Sequence, residues 1–427
     1  MQINFRNPYQ TPPTTTAPAA HQRPPITALT RALTSTPALI TALVLTLISA
    51  YPFLWDEKMV AREFFDLQVY YGGVAHWLET GQLYDWALPP EEIYGFTYPP
   101  FAALVFAPFV LLTSADTAGP IFLLLNIAAL VALVYLSCRG MGVGKRPALA
   151  AGLWLTPLLL KFFPISFNME LGQINLFLVL LILTDVIYLK NTRWHGVLIA
   201  LTACIKLTPA IFGLLFLATR DWKSLTRFVG TGLASIALSF AVDFEVAREY
   251  FTEKIFESSR VGSITGALNY NLLGTWAMLF PSWLTGVLFA ITALGAVVLA
   301  YLAVRRLAWQ DVRGAYLGAA SCVAVLGLLL SPISWTHHWV WFVTFLVFAT
   351  LYGWRTAHTG YLYLAATGVL IFAMPFAVWF GGHDWGGNEW PEHLALLHAL
   401  PVAWAVAYLA LAARSPQSPS SRKLPGS

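Results

Sequence analysis

The residues able to do chemistry cluster after the first apolar run, where Asp56, Glu63, Asp66 and Asp85 sit among aromatic side chains. A carboxylate in such a setting is a candidate general base, able to take a proton from a hydroxyl within hydrogen-bond reach. Asp66 opens the run DLQVYYGG, with Arg62 four residues before it. On an exposed helix face that pair alone contributes only about 0.3–0.5 kcal/mol. Asp85, in GQLYD, suits the capping of a turn. Anion-binding candidates lie far downstream: the adjacent His337 and His338 in SPISWTHHW, and Lys254 and Arg260 in a long polar segment. Of the two cations, arginine has the better fork for phosphate oxygens. Glu170 and Gln173, in ELGQIN, are one helical turn apart and can bond hydroxyl groups or satisfy a helix end. Lys206 stands inside an apolar run, where a charge is costly. Snorkelling toward the cytoplasmic side is the preferred reading of it. Asn269 and Asn271 have no assignment. Cys138, Cys204 and Cys322 are scattered singly through apolar runs, and no Asp-x-Asp pair occurs, so no metal site and no disulfide framework is predicted.

The elements that must position these groups are membrane helices. Of the 427 residues 58% are hydrophobic and 11% charged, against about 25% charged in ordinary soluble proteins. A soluble globular enzyme is thereby excluded. Spanning a bilayer takes about 20 residues of helix, and such apolar runs occur near 34–54, 117–138, 147–163, 172–189, 226–243, 282–304, 314–333, 336–353, 360–380 and 394–413. Two further stretches are ambiguous. Residues 100–112 are short and contain Pro108, and 196–219 are interrupted by Lys206, Thr208 and Pro209. If neither makes a net crossing, and 196–219 folds back as two half-helices, the charges separate by side as short cytoplasmic loops require. Of the 25 basic residues all but Lys58, Arg62, Lys161, Arg248, Lys254 and Arg260 then face the cytoplasm. Of the 21 acids all but Asp116, Asp185, Asp221 and Asp311 are assigned to the outside. Both termini are expected in the cytoplasm. The net charge of +4 is not gathered into any stripe that would suit nucleic acid, and no nucleic-acid partner is expected.

The expected fold is thus all-α and polytopic, with about 10–12 transmembrane helices. Residues 1–33 and 414–427 read as disordered cytoplasmic tails flanking one membrane domain over 34–413. A cleaved signal peptide fits 31–50 less well, because its charged region would be too long. The long loops, 55–99 and 244–281, fall outside. Within the first, Val60, Phe64, Leu67 and Tyr71 recur at helical spacing with Glu63, Asp66 and Tyr70 displaced from them, and Gly81 is a natural stop. An interfacial amphipathic helix over 59–79 is expected. The prolines of TYPPF should start a second interfacial or half-inserted helix. A transporter or flippase of a lipid-linked sugar is the rival class. Its charges would line a path at mid-membrane between inverted repeats, and the broken stretch 196–219 supplies only one such element.

The segments DLQVYYGGVAHWLETGQLYD, TYPPFAALVFAP, ELGQIN, IKLTP and SPISWTHHWVW, in that order, resemble the motif series of glycosyltransferase family 87. The likeness covers about residues 40–345, and within the family it is to the alpha-1,2-mannosyltransferases of phosphatidylinositol mannoside synthesis. It implies a GT-C-type fold, polyprenyl-phosphate-mannose as donor and co-substrate, a mannosylated glycolipid as acceptor, and inverting transfer on the extracytoplasmic face. No cofactor is implied. A glycosidase generally needs two carboxylates, one to protonate the departing oxygen. A phosphate leaves as an anion, so one base suffices if donors stabilise the phosphate. The family pattern places the essential acid at Asp66, with Glu63 and Asp56 as runners-up. His337, His338, Arg260, Lys254, Glu170 and Gln173 are the candidates for donor phosphate or substrate binding. Adjacent residues on a helix diverge by about 100°, so one of the two histidines, preferably His338, is expected to face the site.

Overall fold

A chain this apolar can place its backbone in a bilayer only by bonding it internally, and helices are what the sequence forms. The computed structural model describes residues 26–55, 64–89, 94–257, 262–374 and 395–415. Helices α1 (Ile26–Leu33) and α2 (Thr36–Ala50) precede a helical turn at Pro52–Trp55, and α3 (Phe65–Thr80) and α4 (Pro100–Leu112) follow. Next come α5 (Ala115–Gly140), α6 (Lys145–Leu159), α7 (Phe163–Glu170) and α8 (Asn175–Thr184), the last continued by a π-helical turn at Asp185–Leu189. The middle of the chain forms α9 (Val197–Ile205), a 3-10 segment at Thr208–Phe212, α10 (Gly213–Thr219), α11 (Trp222–Val242) and α12 (Phe244–Thr252). Helices α13 (Leu272–Leu279), α14 (Ser282–Leu307) and α15 (Ala315–Leu330) lead to a 3-10 segment at Thr336–Trp341. Helices α16 (Phe342–Thr356), α17 (Thr359–Ala373) and α18 (Ala395–Ala413) complete the fold. Among the described residues the β contacts are two isolated bridges, Ala87 with Gly95 and Asn269 with Trp335.

Thr36–Leu54, α5, α11, α14 and Leu396–Ala413 are each long and apolar enough to cross a membrane. Helices α6 and α7 reach that length only together and are bent by 82°. The remaining expected runs form shorter apolar helices, including Asn175–Leu189, α15 and α17. Leu124, Leu233, Ile291 and Leu294 are exposed on the long helices, as a lipid-facing surface requires. The chain is a multi-pass helical membrane protein.

Two short helices span the same depth of the molecule. Asn175 at the start of α8 and Leu328 near the end of α15 line one cavity, while Tyr316 at the start of α15 lines a second. Residues 196–219 enter and leave by one end. His195 and Thr219 line that second cavity, whereas Lys206, Thr208 and Pro209 between them line the first. Pro209 and the Lys206 charge break the helix at the apex, giving the folded-back arrangement that the charge pattern requires.

Helix α3 differs from its expected form. Its first described residue follows Phe64, which adopts a left-handed φ of 54°, and Asp56 and Glu63 lie outside the described residues. Tyr70, expected on the polar face, is buried: its hydroxyl meets that of Tyr98 at 2.9 Å and its ring lies 5.1 Å from Phe106 of α4. At the other end of α4, Tyr71 donates to the Thr113 carbonyl at 2.8 Å. The aromatic residues thus turn α3 from a surface helix into one clamped against α4. Trp77 donates to Asp243 at 2.9 Å, joining α3 to the α11–α12 junction. Gly81 stops the helix with a φ of 76°, as anticipated.

Candidate active site

Asp66 lies in the first turn of α3, where its backbone N–H and that of Leu67 donate to the Leu171 carbonyl at 3.0 and 3.2 Å. This contact sets α3 against the turn between α7 and α8. Gly172 makes the turn with a φ of 64°, and a Cβ there would stand 2.7 Å from that of Leu67. A side chain at 172 would therefore push α3 away. The turn delivers Gln173, whose Nε2 donates to Asp66 Oδ2 at 2.7 Å. Burial pushes the Asp66 carboxyl up to about 6, while the Gln173 bond and the Lys206 charge pull it back down.

From Gln173 the contacts run inward. Asn175 Nδ2 donates to Gln173 Oε1 at 3.2 Å and to the His337 carbonyl at 3.0 Å, and Asn175 Oδ1 accepts from Lys206 Nζ at 2.9 Å. Lys206 Nζ also lies 3.1 Å from His338 Nε2 and 5.3 Å from the centre of the Tyr98 ring. As an ammonium donates only, His338 Nε2 is the acceptor in that pair. Asn168 supports the chain, donating to Asn126 at 3.2 Å and accepting from Asn175 at 3.3 Å. A carboxylate and an ammonium are thus joined through two amides, and Asn175, Lys206 and His338 line a cavity of about 60 Å³ between α8 and α15.

The histidine pair is held from outside. Asn269 Oδ1 accepts from the Ser334 N–H at 2.6 Å, Asn271 donates to the Pro332 carbonyl at 2.9 Å, and Thr336 N–H donates to the Leu268 carbonyl at 2.9 Å. These asparagines, unassigned from sequence, fix the strand-like entry to Thr336–Trp341. The two histidines have different surroundings. His338 meets Lys206, whereas His337 packs its ring 5.3 Å from Phe167 and both its ring nitrogens are buried without a protein partner. The segment is a 3-10 helix, which separates neighbours by about 120°.

Several sequence expectations change. Lys206 does not snorkel to an exposed end: it is 9% exposed and its amine ends among Asn175, His338 and Tyr98. Its helix α9 is one limb of a folded-back pair, so the apex carries the ammonium to the Asp66 end. Glu170 and Gln173 are not one turn apart on a single helix. Glu170 closes α7, and the Gly172 turn separates it from Gln173. Lys254 is met by Glu249 at 3.5 Å and Glu257 at 4.0 Å within its own segment. Arg260 lies outside the described residues. Asp85 pairs with His76 at 3.2 Å. The signals sequence reading underused were the charge inside IKLTP and the amides of ELGQIN.

The family model for glycosyltransferase family 87 matches residues 96–332. A protein of Mycolicibacterium smegmatis, named polyprenol-phosphate-mannose-dependent alpha-(1-2)-phosphatidylinositol pentamannoside mannosyltransferase, is 37% identical over 75% of this chain and 80% of its own. A second protein from that organism, named as the corresponding phosphatidylinositol mannoside mannosyltransferase, is 35% identical over 72% of this chain and 74% of its own. A Mycobacterium tuberculosis protein of the latter name is 30% identical over 81% and 84%. No solved structure matches. The matched span includes Gln173, Asn175 and Lys206, and with relatives aligned along most of their own lengths the chain belongs to glycosyltransferase family 87.

Proposed function

We propose that the protein transfers mannose from polyprenyl-phosphate-mannose to a hydroxyl of a phosphatidylinositol mannoside, forming an alpha-1,2 linkage with inversion. The observation that carries this reading is the hydrogen-bonded chain from Asp66 through Gln173 and Asn175 to Lys206 and His338. Such a reaction needs a base and a cation held apart in fixed relation. Asp66 accepts the proton of the acceptor hydroxyl as its oxygen attacks the anomeric carbon. The bond from that carbon to the phosphate oxygen breaks on the opposite side, and its electron pair stays with the phosphate. Lys206 and His338 meet the charge gained there, preorganised in a site with little water. A base near pKa 6 is largely ionised at neutral pH yet a stronger proton acceptor than an ordinary aspartate.

In this reading the cavity beneath Lys206 receives the start of the polyprenyl chain and the acceptor approaches past α3. The site lies on the extracytoplasmic face, both termini are cytoplasmic, and no metal or cofactor takes part. The relatives' names support the donor and acceptor classes. A flippase reading is less favoured, because it gives no use to a carboxylate tied to an ammonium at one end of the molecule. The test is purified protein in nanodiscs with donor and acceptor, followed by mass spectrometry. Polyprenyl phosphate and mannosylated acceptor should appear in equal amounts. Movement of the donor across the bilayer without its cleavage would sink the proposal.

A further inference from the structure

At the end of the molecule opposite Asp66, a second carboxylate is buried without exposure to solvent. Asp185 sits where α8 passes into its π-helical turn and is 0% exposed. It accepts from the backbone N–H of Gly196 at 2.9 Å, Leu198 at 2.9 Å and Ile199 at 3.3 Å, and its Oδ1 lies 2.6 Å from His195 Nδ1. His195 Nε2 in turn lies 3.1 Å from the Tyr316 hydroxyl on α15. One carboxylate therefore binds the ends of α8, α9 and α15 together. A fully buried acid is costly and persists where it has a task, and π-turns recur at functional positions.

That task follows from what the three helices carry at their other ends. Helix α8 begins at Asn175, α9 ends at Lys206, and α15 ends beside the cavity into which Lys206 projects. Helices α8 and α9 are consequently stapled twice, by Asp185 to the first N–H groups of α9 and by Asn175 to the Lys206 ammonium. A nine-residue helix has no register of its own within a folded-back stretch. Its N-terminal donors would be unsatisfied without Asp185. We infer that Asp185 is a positioning residue of the transfer reaction, fixing the axial register of α9 so that Lys206 reaches Asn175 and His338. The inference rests on the reading of Lys206 as the active-site cation.

The experiment is a double-mutant cycle in the full-length protein in nanodiscs, using Asp185→Ala, Lys206→Met and the pair. Turnover and donor KM are measured together with amide hydrogen exchange of α9. Asp185→Ala should lower kcat by about 10- to 100-fold, the size of effect a displacement of about 1 Å produces, with donor KM changed far less. In the Lys206→Met background the same replacement should cost less than about twofold, because residues acting through one another are non-additive. Asp185→Asn keeps one acceptor oxygen and should restore most of the rate; if the alanine variant does not fold, Asp185→Ser, whose single hydroxyl reaches fewer of these N–H groups, carries the cycle and should still lower kcat by about fivefold or more. Losses that multiply in the double variant would overturn the inference. If Lys206→Met keeps wild-type turnover, the mannosyl-transfer role of Lys206 fails, and exchange then decides separately. Faster exchange at Ile205 and Lys206 sustains the staple, and unchanged exchange there overturns it.

Discussion

Gln173 donates to Asp66 Oδ2 at 2.7 Å through an amide whose orientation is fixed on its other side, where its oxygen accepts from Asn175. The amide cannot turn over without losing both bonds, so it presents a donor to the carboxylate permanently. That donor favours the ionised form against the burial that opposes it. The base is thereby kept within reach of neutral pH, and its orientation is locked toward the turn that carries the rest of the site.

Asparagine matches aspartate in size but takes no proton, so Asp66→Asn should lower turnover by about 10²- to 10⁴-fold. Expression, detergent behaviour and donor binding should survive. The measurement is product formation by purified variant beside donor titration, and near wild-type rates would move the role to Glu63.

The rate should fall as pH drops through about 6, because Asp66 must be ionised to accept the proton. Gln173→Leu removes a bond that holds that carboxyl down, so the acidic limb should move to higher pH. Profiles of kcat/KM against pH for both proteins check this; a limb in the same place for both would separate the titration from Asp66.

The histidines should respond unequally. His338→Ala removes the acceptor that aims Lys206 Nζ, so the oxyanion-stabilising ammonium loses its position and turnover should fall by about 10²- to 10³-fold, the typical cost of one such donor. His337→Phe keeps the packing on Phe167 and removes two nitrogens that have no protein partner, so it should retain most of its turnover. Its thermal midpoint should hold or rise, since unbonded buried polar groups are costly. Rates, donor Kd and melting of both variants decide, and the reverse order of activity would transfer the phosphate contact to His337.

Single cysteines report the sidedness. One placed at Asp85 should react in intact cells with an impermeant maleimide, and one at Arg146 or Arg355 only after lysis. Labelling at Arg146 in intact cells would show that α4 crosses the membrane.

What the sequence by itself determined was the class and the skeleton. Apolar runs of bilayer length have no stable alternative to helix in lipid. Each expected run therefore holds a helix, Pro100 starts α4, and Gly81 ends α3. Asp66 could be singled out because its motif is local. Lys206 could not be placed, since the same residue inside an apolar run snorkels or turns inward depending on whether its helix crosses or folds back. Only the packing of α9 and α10 at a shared end decides that. The bonds from Asp66 to Gln173 and from Lys206 to Asn175 join residues 107 and 31 positions apart. No spacing rule reaches so far; the Gly172 turn and the folded-back limb close those distances, and they act only once the helices are packed.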